Sequence, residues 1–595
     1  MDFLKPRILV ALCALFTVGV CAGAELVPQG SAWRYLDDGS DQSTAWREAD
    51  FDDGGWKSGR GQFGYGDGDE VTQLEVSQTT YYFRHTFNLE AVPDLDSVSL
   101  DLLYDDGAII YLNGQEVHRT DLMPEDKNVS YNQTTSRPSR DNATDENVAV
   151  PTSLLVKGSN LVAVEVHNQS TKSSDISFDL SLALEKPSGE VEAEVITSAS
   201  QIRLVWVDDP ATTITVAWTH GGASDASVHF GTTDEGLNPD AYPFSESVER
   251  TGAYLDGEIV SKFVRLSDLK PDTNYYFVLS DDLGVSPRYY FRTAPDTPQA
   301  FSFIAGGDSR NNRTPRQNAN RLIAKLRPLF VAFTGDMINR DNAGEWGEWL
   351  DDWQLTVSED GQMYPILPHR GNHEGRGNST IYDLFDTTPD NYYGLTFGGD
   401  LLRYYVLNSE YGESLQADWM REDLDVLGGE TAFSHLVAGY HKPMRPHTSR
   451  KSEGRAEYDA WAQLFHDYRF DLVFESDSHV MKRTLPIRPS TAEGNDEGFV
   501  VDMKNGTVYT GEGCWGAPLR AVDDDKSWTL DSGSFNGFDL LHVYPQKMIL
   551  HTVLVDLEAN SSALPANSEV LSLPEGLPLW EAEGGAQLTI SRGVD

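Results

Sequence analysis

Cysteine is almost absent: the 595-residue chain has three. Cys13 and Cys21 lie in a leader-like segment, so Cys514 stands alone after it. A single thiol excludes an internal disulfide framework, and stability has to come from buried cores. Basic residues are scarce too, with 46 Lys and Arg against 93 Asp and Glu and a formal net charge of -47. That imbalance argues against a nucleic-acid backbone as partner, because phosphates would be repelled. It suits a solvated acidic surface in a salty exterior. Long apolar runs are missing after residue 24, so the sequence predicts no membrane span there.

The first 24 residues read as a secretory signal. Lys5 and Arg7 are basic, Ile8 to Val20 is apolar, and Ala22-Gly23-Ala24 offers a small-residue cleavage site. The expected location is therefore secreted, extracellular or periplasmic. Asn128, Asn132, Asn142 and Asn168 begin Asn-x-Ser/Thr sequons, which matter only in a glycosylating host.

Residues 25–186 read as an all-β sandwich of short strands. Val98, Leu100 and Leu102 alternate with polar neighbours, as do Ile176, Phe178, Leu180, Leu182 and Leu184. Asn113-Gly114 between two apolar runs is a type I′ hairpin signal. Residues 185–195, EKPSGEVEAEV, read as a linker. A second small β-domain is expected over 196–296. There Ile214, Val216 and Trp218 alternate, and Leu269-x-Pro271-x-Thr273-x-Tyr275 has the pattern of a tyrosine corner.

Residues 300–557 have a different texture. Short apolar runs each end in a polar loop, with helical stretches expected near 315–327, 343–355, 414–427 and 456–468. The loops are Gly-Asp-Ser-Arg at 307–310, Gly-Asp-Met at 335–337, Gly-Asn-His-Glu at 371–374, Gly-Tyr-His-Lys-Pro at 439–443 and Ser-Asp-Ser-His at 476–479. Strand carboxyl ends are where open α/β sheets collect ligands. The pattern therefore predicts that Asp308, Asp336, Asn372, His441 and His479 share one rim. Carboxylate, amide and imidazole donors together suit a divalent or trivalent metal pair. The segment 538–556 reads as a closing hairpin around Pro545-Gln546, and the tail 558–595 has no assigned role.

These five loops, in this order over some 170 residues, resemble the calcineurin-like metallophosphoesterase superfamily. A fibronectin type III-like domain directly before them resembles purple acid phosphatases in particular. The pattern of LDDGSDQSTAWR, FDDGGWKSG, DDGAIIYLNG and LVAVEVHNQS resembles a galactose-binding-like jelly-roll module, which implies carbohydrate or cell-surface contact. The implied fold class is multidomain: two N-terminal all-β sandwiches, then a four-layer αββα domain of two mixed sheets flanked by helices. The implied cofactor is two metal ions, drawn from Fe, Mn, Zn or Ca, which clamp a phosphate ester and activate hydroxide for in-line attack.

The resemblance also assigns roles. Asp336 matches the bridging carboxylate, Asp308 and His479 match ligands of the first metal, and Asn372 and His441 match ligands of the second. His373 matches the catalytic His that stabilises the transition state or protonates the leaving oxygen. His447 falls near a second substrate His. Arg310 is placed to hold a phosphate oxygen through its guanidinium fork. Glu374 is expected to orient His373.

Two departures stand out. Purple acid phosphatases carry a Tyr three residues after the bridging Asp, which gives them their ferric colour, and this chain has Asn339. Other members use Asp-x-His in the first motif, and here that His position is Arg310. So Asn339 ligates the first metal or water fills the gap, and the protein is not purple. In the last motif the usual first His is Asp477, still a ligand and a harder one, which favours Mn, Mg, Ca or Fe over Zn. Elsewhere, His369 and His435 read as core residues, Cys514 as a packed thiol, and Trp346, Trp349 and Trp353 as helix packing.

The resulting expectation is a secreted dinuclear-metal phosphatase acting on phosphate monoesters. The alternatives are a phosphodiesterase or nucleotidase of the same superfamily, or a non-catalytic carbohydrate- or surface-binding protein with a degenerate metal domain.

Overall fold

The structure is a computed structural model. It describes residues 25–66, 70–89, 91–93, 97–124, 129–135, 143–173, 175–184, 197–375, 377–555, 561–565 and 571–591. The signal segment, the linker 185–195, and Asn128 and Asn142 lie outside the described residues. The chain divides into two compact units, 1–192 and 193–595.

In the first unit two six-stranded sheets pack face to face. The alternation read from the sequence is the burial pattern: Val98, Leu100 and Leu102 point inward, as do Ile176, Phe178, Leu180 and Leu182. Phe83 and Phe178 meet at the centre with ring centroids 4.3 Å apart. The strands are longer than expected: Thr80–Leu89 and Gly158–His167 each run ten residues and pair along their whole length. At the Asn113-Gly114 hairpin both residues have positive φ, 50° and 82°, as a type I′ turn requires.

The second unit joins the small β-domain to the α/β domain through one sheet. Strands β1 (Phe301–Gly306), β2 (Val331–Phe333) and β3 (Ile366–Pro368) pair in parallel. Strand Ala199–Val205 of the small domain then adds beside β3 through Val205 and Ile366, so the two share a ten-stranded sheet. This is tighter than two domains packed side by side, because backbone hydrogen bonds as well as side chains cross the boundary. The tyrosine corner is formed: the Lys270 N–H donates to the Tyr275 hydroxyl at 2.9 Å.

The second sheet has seven strands. At its centre are β4 (Leu402–Val406), β5 (His435–Gly439), β6 (Leu472–Glu475) and β7 (Val508–Gly511), all parallel. The sheets face each other across Phe303, Phe330, Phe397, Tyr404, Val437 and Phe474. Helices α1 (Arg313–Leu326) and α2 (Ala343–Trp353) cover the first sheet, and α3 (Glu413–Leu427) covers the second. The fourth helix, expected near 456–468, runs over 455–467 and carries a π turn at Tyr458–Ala462. This is the αββα arrangement.

Trp346, Trp349 and Trp353 are buried on the inner face of α2 against Phe333 and Phe385. The Gly537–Tyr544 and Lys547–Leu554 hairpin closes the first sheet. The tail gains a role the sequence did not disclose: Gln587–Ile590 pairs with Lys547–Leu554 as the edge strand.

Candidate metal centre

The five loops leave the carboxyl ends of β1, β2, β3, β5 and β6, and the backbone there is held in uncommon conformations. Asp308, Arg310, Asp336, Asp477 and His479 all have positive φ, between 36° and 67°. Non-glycine residues rarely adopt that region, and they cluster at sites where the surroundings fix them. The loops also pack closely. A Cβ on Gly513 (φ 83°) would sit 1.8 Å from Asp308 Oδ2, and one on Gly335 (φ 94°) would sit 2.7 Å from the Gly371 nitrogen.

Asp308, Asp336, His441 and Asp477 form the centre. One ligand atom from each lies within 4.8 Å of all the others, and all four residues are buried. His441 Nε2 is 3.2 Å from Asp336 Oδ1, 3.5 Å from Asp477 Oδ1 and 3.3 Å from Asn372 Oδ1. His479 Nε2 is 3.1 Å from Asp308 Oδ1. Among the described residues no other such group occurs.

The three imidazoles share one device. His441 Nδ1 lies 3.0 Å from the Thr334 carbonyl, His479 Nδ1 2.9 Å from the Pro518 carbonyl, and His373 Nδ1 2.6 Å from the Asn339 carbonyl. A carbonyl only accepts, so each Nδ1 carries a proton, and the Nε2 of a neutral His441 is left to present its lone pair to the site.

The residues fit a metal ion. Asp308 Oδ1 and Asp336 Oδ2 are buried without a hydrogen-bond partner. Buried carboxylate oxygens without donors are costly, and a cation is the group that offsets them. Burial alone would push the Asp336 carboxyl up, but the charge and hydrogen bond of His441, then His373, outweigh it and hold it below the ordinary range. Burial likewise pushes Asp477 up, and His441 and Lys451 drive it far below. Burial would lower His441, yet the charges of Asp336 and Asp308 raise it well above its usual value. Excess negative charge facing one imidazole is the electrostatic signature of a cation site. With three carboxylates, one imidazole and a nearby amide oxygen, the donors are hard and oxygen-rich.

Other sequence-derived candidates fall elsewhere. His447 is fully buried, its Nδ1 3.0 Å from Glu512 Oε1 and its Nε2 2.8 Å from Thr529 Oγ1. Both nitrogens are engaged away from the cluster, so the structure gives it a place in the interior and not on a substrate. Asn339 spends its side-chain oxygen on Arg310 Nη2. Glu374 does not touch the His373 ring: its carboxylate accepts from the backbone N–H groups of Asp336 (3.0 Å), Met337 (2.5 Å) and Gly371 (2.6 Å), which clamps the second loop to the third. His369 is a core residue, its Nδ1 3.0 Å from the Phe333 carbonyl, and burial lowers it to about 4. His435 Nε2 bonds the Tyr544 carbonyl at 2.8 Å. Cys514 is buried, and burial raises its thiol well above the usual value.

Sequence reasoning missed Lys451, which pairs with Asp477 Oδ1, and Arg520, whose Nη1 donates to the Asp477 carbonyl at 2.8 Å. The Arg450-Lys451 pair just after the fourth motif was the available signal in a chain so poor in cations.

Comparison with known proteins agrees with this geometry. Residues 199–293 match the family described as purple acid phosphatase, N-terminal domain. Residues 309–481 match the calcineurin-like phosphoesterase family. An uncharacterized protein of Mycobacterium tuberculosis is 23% identical over 359 residues, 51% of this chain and 65% of that protein. Purple acid phosphatase 15 of Arabidopsis thaliana is 22% identical over 313 residues, 43% of this chain and 56% of that protein. This chain thus spans less than two thirds of the length of either curated relative. The solved structure of purple acid phosphatase PPD1 from yellow lupin (Lupinus luteus) seeds shares the fold, with a TM-score of 0.50 at 14% identity over 83% of this chain and 94% of that one.

Proposed function

We propose that this chain, a purple acid phosphatase N-terminal-type domain followed by a calcineurin-like phosphoesterase domain, is a secreted metal-dependent hydrolase of phosphate monoesters. The observation that carries the reading is the convergence of Asp308, Asp336, His441 and Asp477, with two carboxylate oxygens lacking donors. Asp308, Asp336, His441 and Asp477 would hold the cation. Asn372 adds a neutral oxygen, so the centre does not become too negative for a phosphate. A metal bound there supplies Lewis-acid charge to the phosphoryl oxygens and makes water a better nucleophile at neutral pH.

The chain's own residues do the rest. Arg310 is half-buried beside the cluster, and its guanidinium offers N–H groups to a phosphate oxygen. His373 is half-buried with its Nε2 3.7 Å from Asp336 Oδ2, and in its doubly protonated form it hands the Nε2 proton to the leaving oxygen and keeps the one on Nδ1. Lys451 adds a second fixed cation at the rim. The preference for monoesters rests on the domain order, which is that of purple acid phosphatases. Export rests on the signal-like first 24 residues. No helix among the described residues is long and apolar enough to cross a membrane.

The test of specificity is a paired assay on mono- and bis-p-nitrophenyl phosphate. A higher kcat/KM for the monoester supports the reading. A higher value for the diester replaces it with a phosphodiesterase.

A further inference from the structure

The superfamily resemblance implies two ions, yet among the described residues one group of carboxylates and imidazole lies within mutual ligand distance. His479 stays out of the four-residue group although its Nε2 is 3.1 Å from Asp308 Oδ1. That nitrogen also faces a fixed cation. Arg310 Nη1 is 3.3 Å from His479 Nε2, and Arg310 Nη2 donates to Asn339 Oδ1.

Because His479 Nδ1 faces the Pro518 carbonyl, Nε2 carries the lone pair and accepts from the guanidinium. The electron pair that would ligate an ion is thereby directed at Arg310. Positions 310 and 339 are those where a His or a Tyr would complete the first metal's shell. Here the two are bonded to each other. A guanidinium has no acceptor and does not lose its proton in proteins, so it cannot be a ligand, and its charge repels a neighbouring cation. The group is also well anchored. Arg310 has a φ of 36°, its carbonyl accepts from Arg316 Nη1 at 2.6 Å, and its two Nη atoms face His479 Nε2 and Asn339 Oδ1.

We propose that the centre binds a single metal ion, on Asp308, Asp336, His441 and Asp477, and that the Arg310 guanidinium takes the place of the second. The arginine then contributes a fixed positive charge toward the phosphate that relatives draw from an exchangeable ion. One consequence is a site whose second cation no chelator can remove. The inference rests on the phosphoesterase reading, but it concerns ion count and anion binding and so is measured separately.

The experiment is the number of metal ions per chain after dialysis against Mn, by elemental analysis, for the wild type, Arg310→His and Arg310→Lys. Circular dichroism establishes that each is folded. Expected are one ion for the wild type and Arg310→Lys, and two for Arg310→His, which restores Asp-x-His in the first motif. Two ions in the wild type, or none, overturn the proposal. So does a folded Arg310→His that still binds one. A second measurement covers failure of the His variant to fold: calorimetric titration of Mn-loaded protein with inorganic phosphate. Arg310→Gln should weaken phosphate binding about tenfold or more, as loss of a charge-assisted contact does, and an unchanged affinity overturns the proposal. A protein with two ions that hydrolyses phosphate esters contradicts this inference and keeps the proposed activity. A one-ion protein without turnover does the reverse.

Discussion

His373 and Asn339 are tied together: the imidazole Nδ1 lies 2.6 Å from the Asn339 backbone carbonyl. The bond orients the ring and turns Nε2 toward the cluster, 3.7 Å from Asp336 Oδ2. If this nitrogen serves the leaving oxygen, His373→Asn should lower kcat by roughly 10²–10⁴-fold while the metal content stays unchanged. The loss should be larger for an alkyl phosphate than for p-nitrophenyl phosphate, whose leaving group needs little protonation. Equal losses on both substrates would remove the proton-donor role.

Glu374 acts on backbone. Three buried N–H groups, from Asp336, Met337 and Gly371, converge on its carboxylate. Glu374→Ala leaves them without an acceptor, at a cost of about 1–3 kcal/mol for each buried donor. The expected result is a protein of lower Tm whose metal affinity falls by about 10–100-fold, because Asp336 and Asn372 lose their common brace. Equilibrium dialysis with Mn measures it. Glu374→Gln should recover part of the affinity, since an amide oxygen still accepts.

Beneath the site runs a buried ionic chain. Lys482 Nζ lies 2.5 Å from Glu475 Oε2 and 2.7 Å from Glu512 Oε1, and all three side chains are at most 1% exposed. Glu512 also accepts from the His447 N–H at 3.0 Å, and its carbonyl receives the His479 N–H at 2.7 Å. Lys482→Ala strands two buried carboxylates and should destabilise the protein by about 3–5 kcal/mol. The pH dependence has a definite sign. Burial pushes Glu512 up, but Lys482 and His447 outweigh it and bring it to about 2, from an ordinary 4.5. A depressed carboxyl stabilises the fold above its unfolded value and loses that contribution as the pH falls from about 4.5 to about 2. Denaturant midpoints of the wild type and Glu512→Gln over that range should converge as acid is added.

Colour is a further check. The position that carries the chromophoric Tyr in purple acid phosphatases is Asn339, whose side chain is bonded to Arg310. Iron-loaded protein should therefore show no ferric–phenolate band in the visible spectrum. A band of that kind would mean that another Tyr reaches the metal.

Much of this was legible in the sequence because β-strands that end in functional loops leave a local trace. FSFIAGG, LFVAFTG and HLVAG are each an apolar run closed by glycine, and the residues after them meet at one rim. The helix 343–353 was readable from its three tryptophans for the same local reason. What the sequence hid is long-range. Val205 pairs with Ile366 to make two domains one sheet, and no periodicity announces such a pairing. Side-chain direction was hidden too. His447 is six residues beyond His441, but its ring points into the core toward Glu512. Glu374 adjoins His373 yet serves the backbone of another loop. Lys451 reaches Asp477 across 26 residues of chain, and the Arg450-Lys451 pair marks a local cation but not its distant partner.

The central claim is metal-dependent phosphate-ester hydrolysis at Asp308, Asp336, His441 and Asp477. Its most direct test is turnover of p-nitrophenyl phosphate by protein from Glu25 onward, after chelation and then after add-back of Mn, Fe, Zn or Ca, with Asp336→Asn in parallel. The account predicts no turnover after chelation, recovery with at least one added metal, and neither bound metal nor recovery in Asp336→Asn. Turnover that survives chelation, or Asp336→Asn that matches the wild type in both metal and rate, would contradict it.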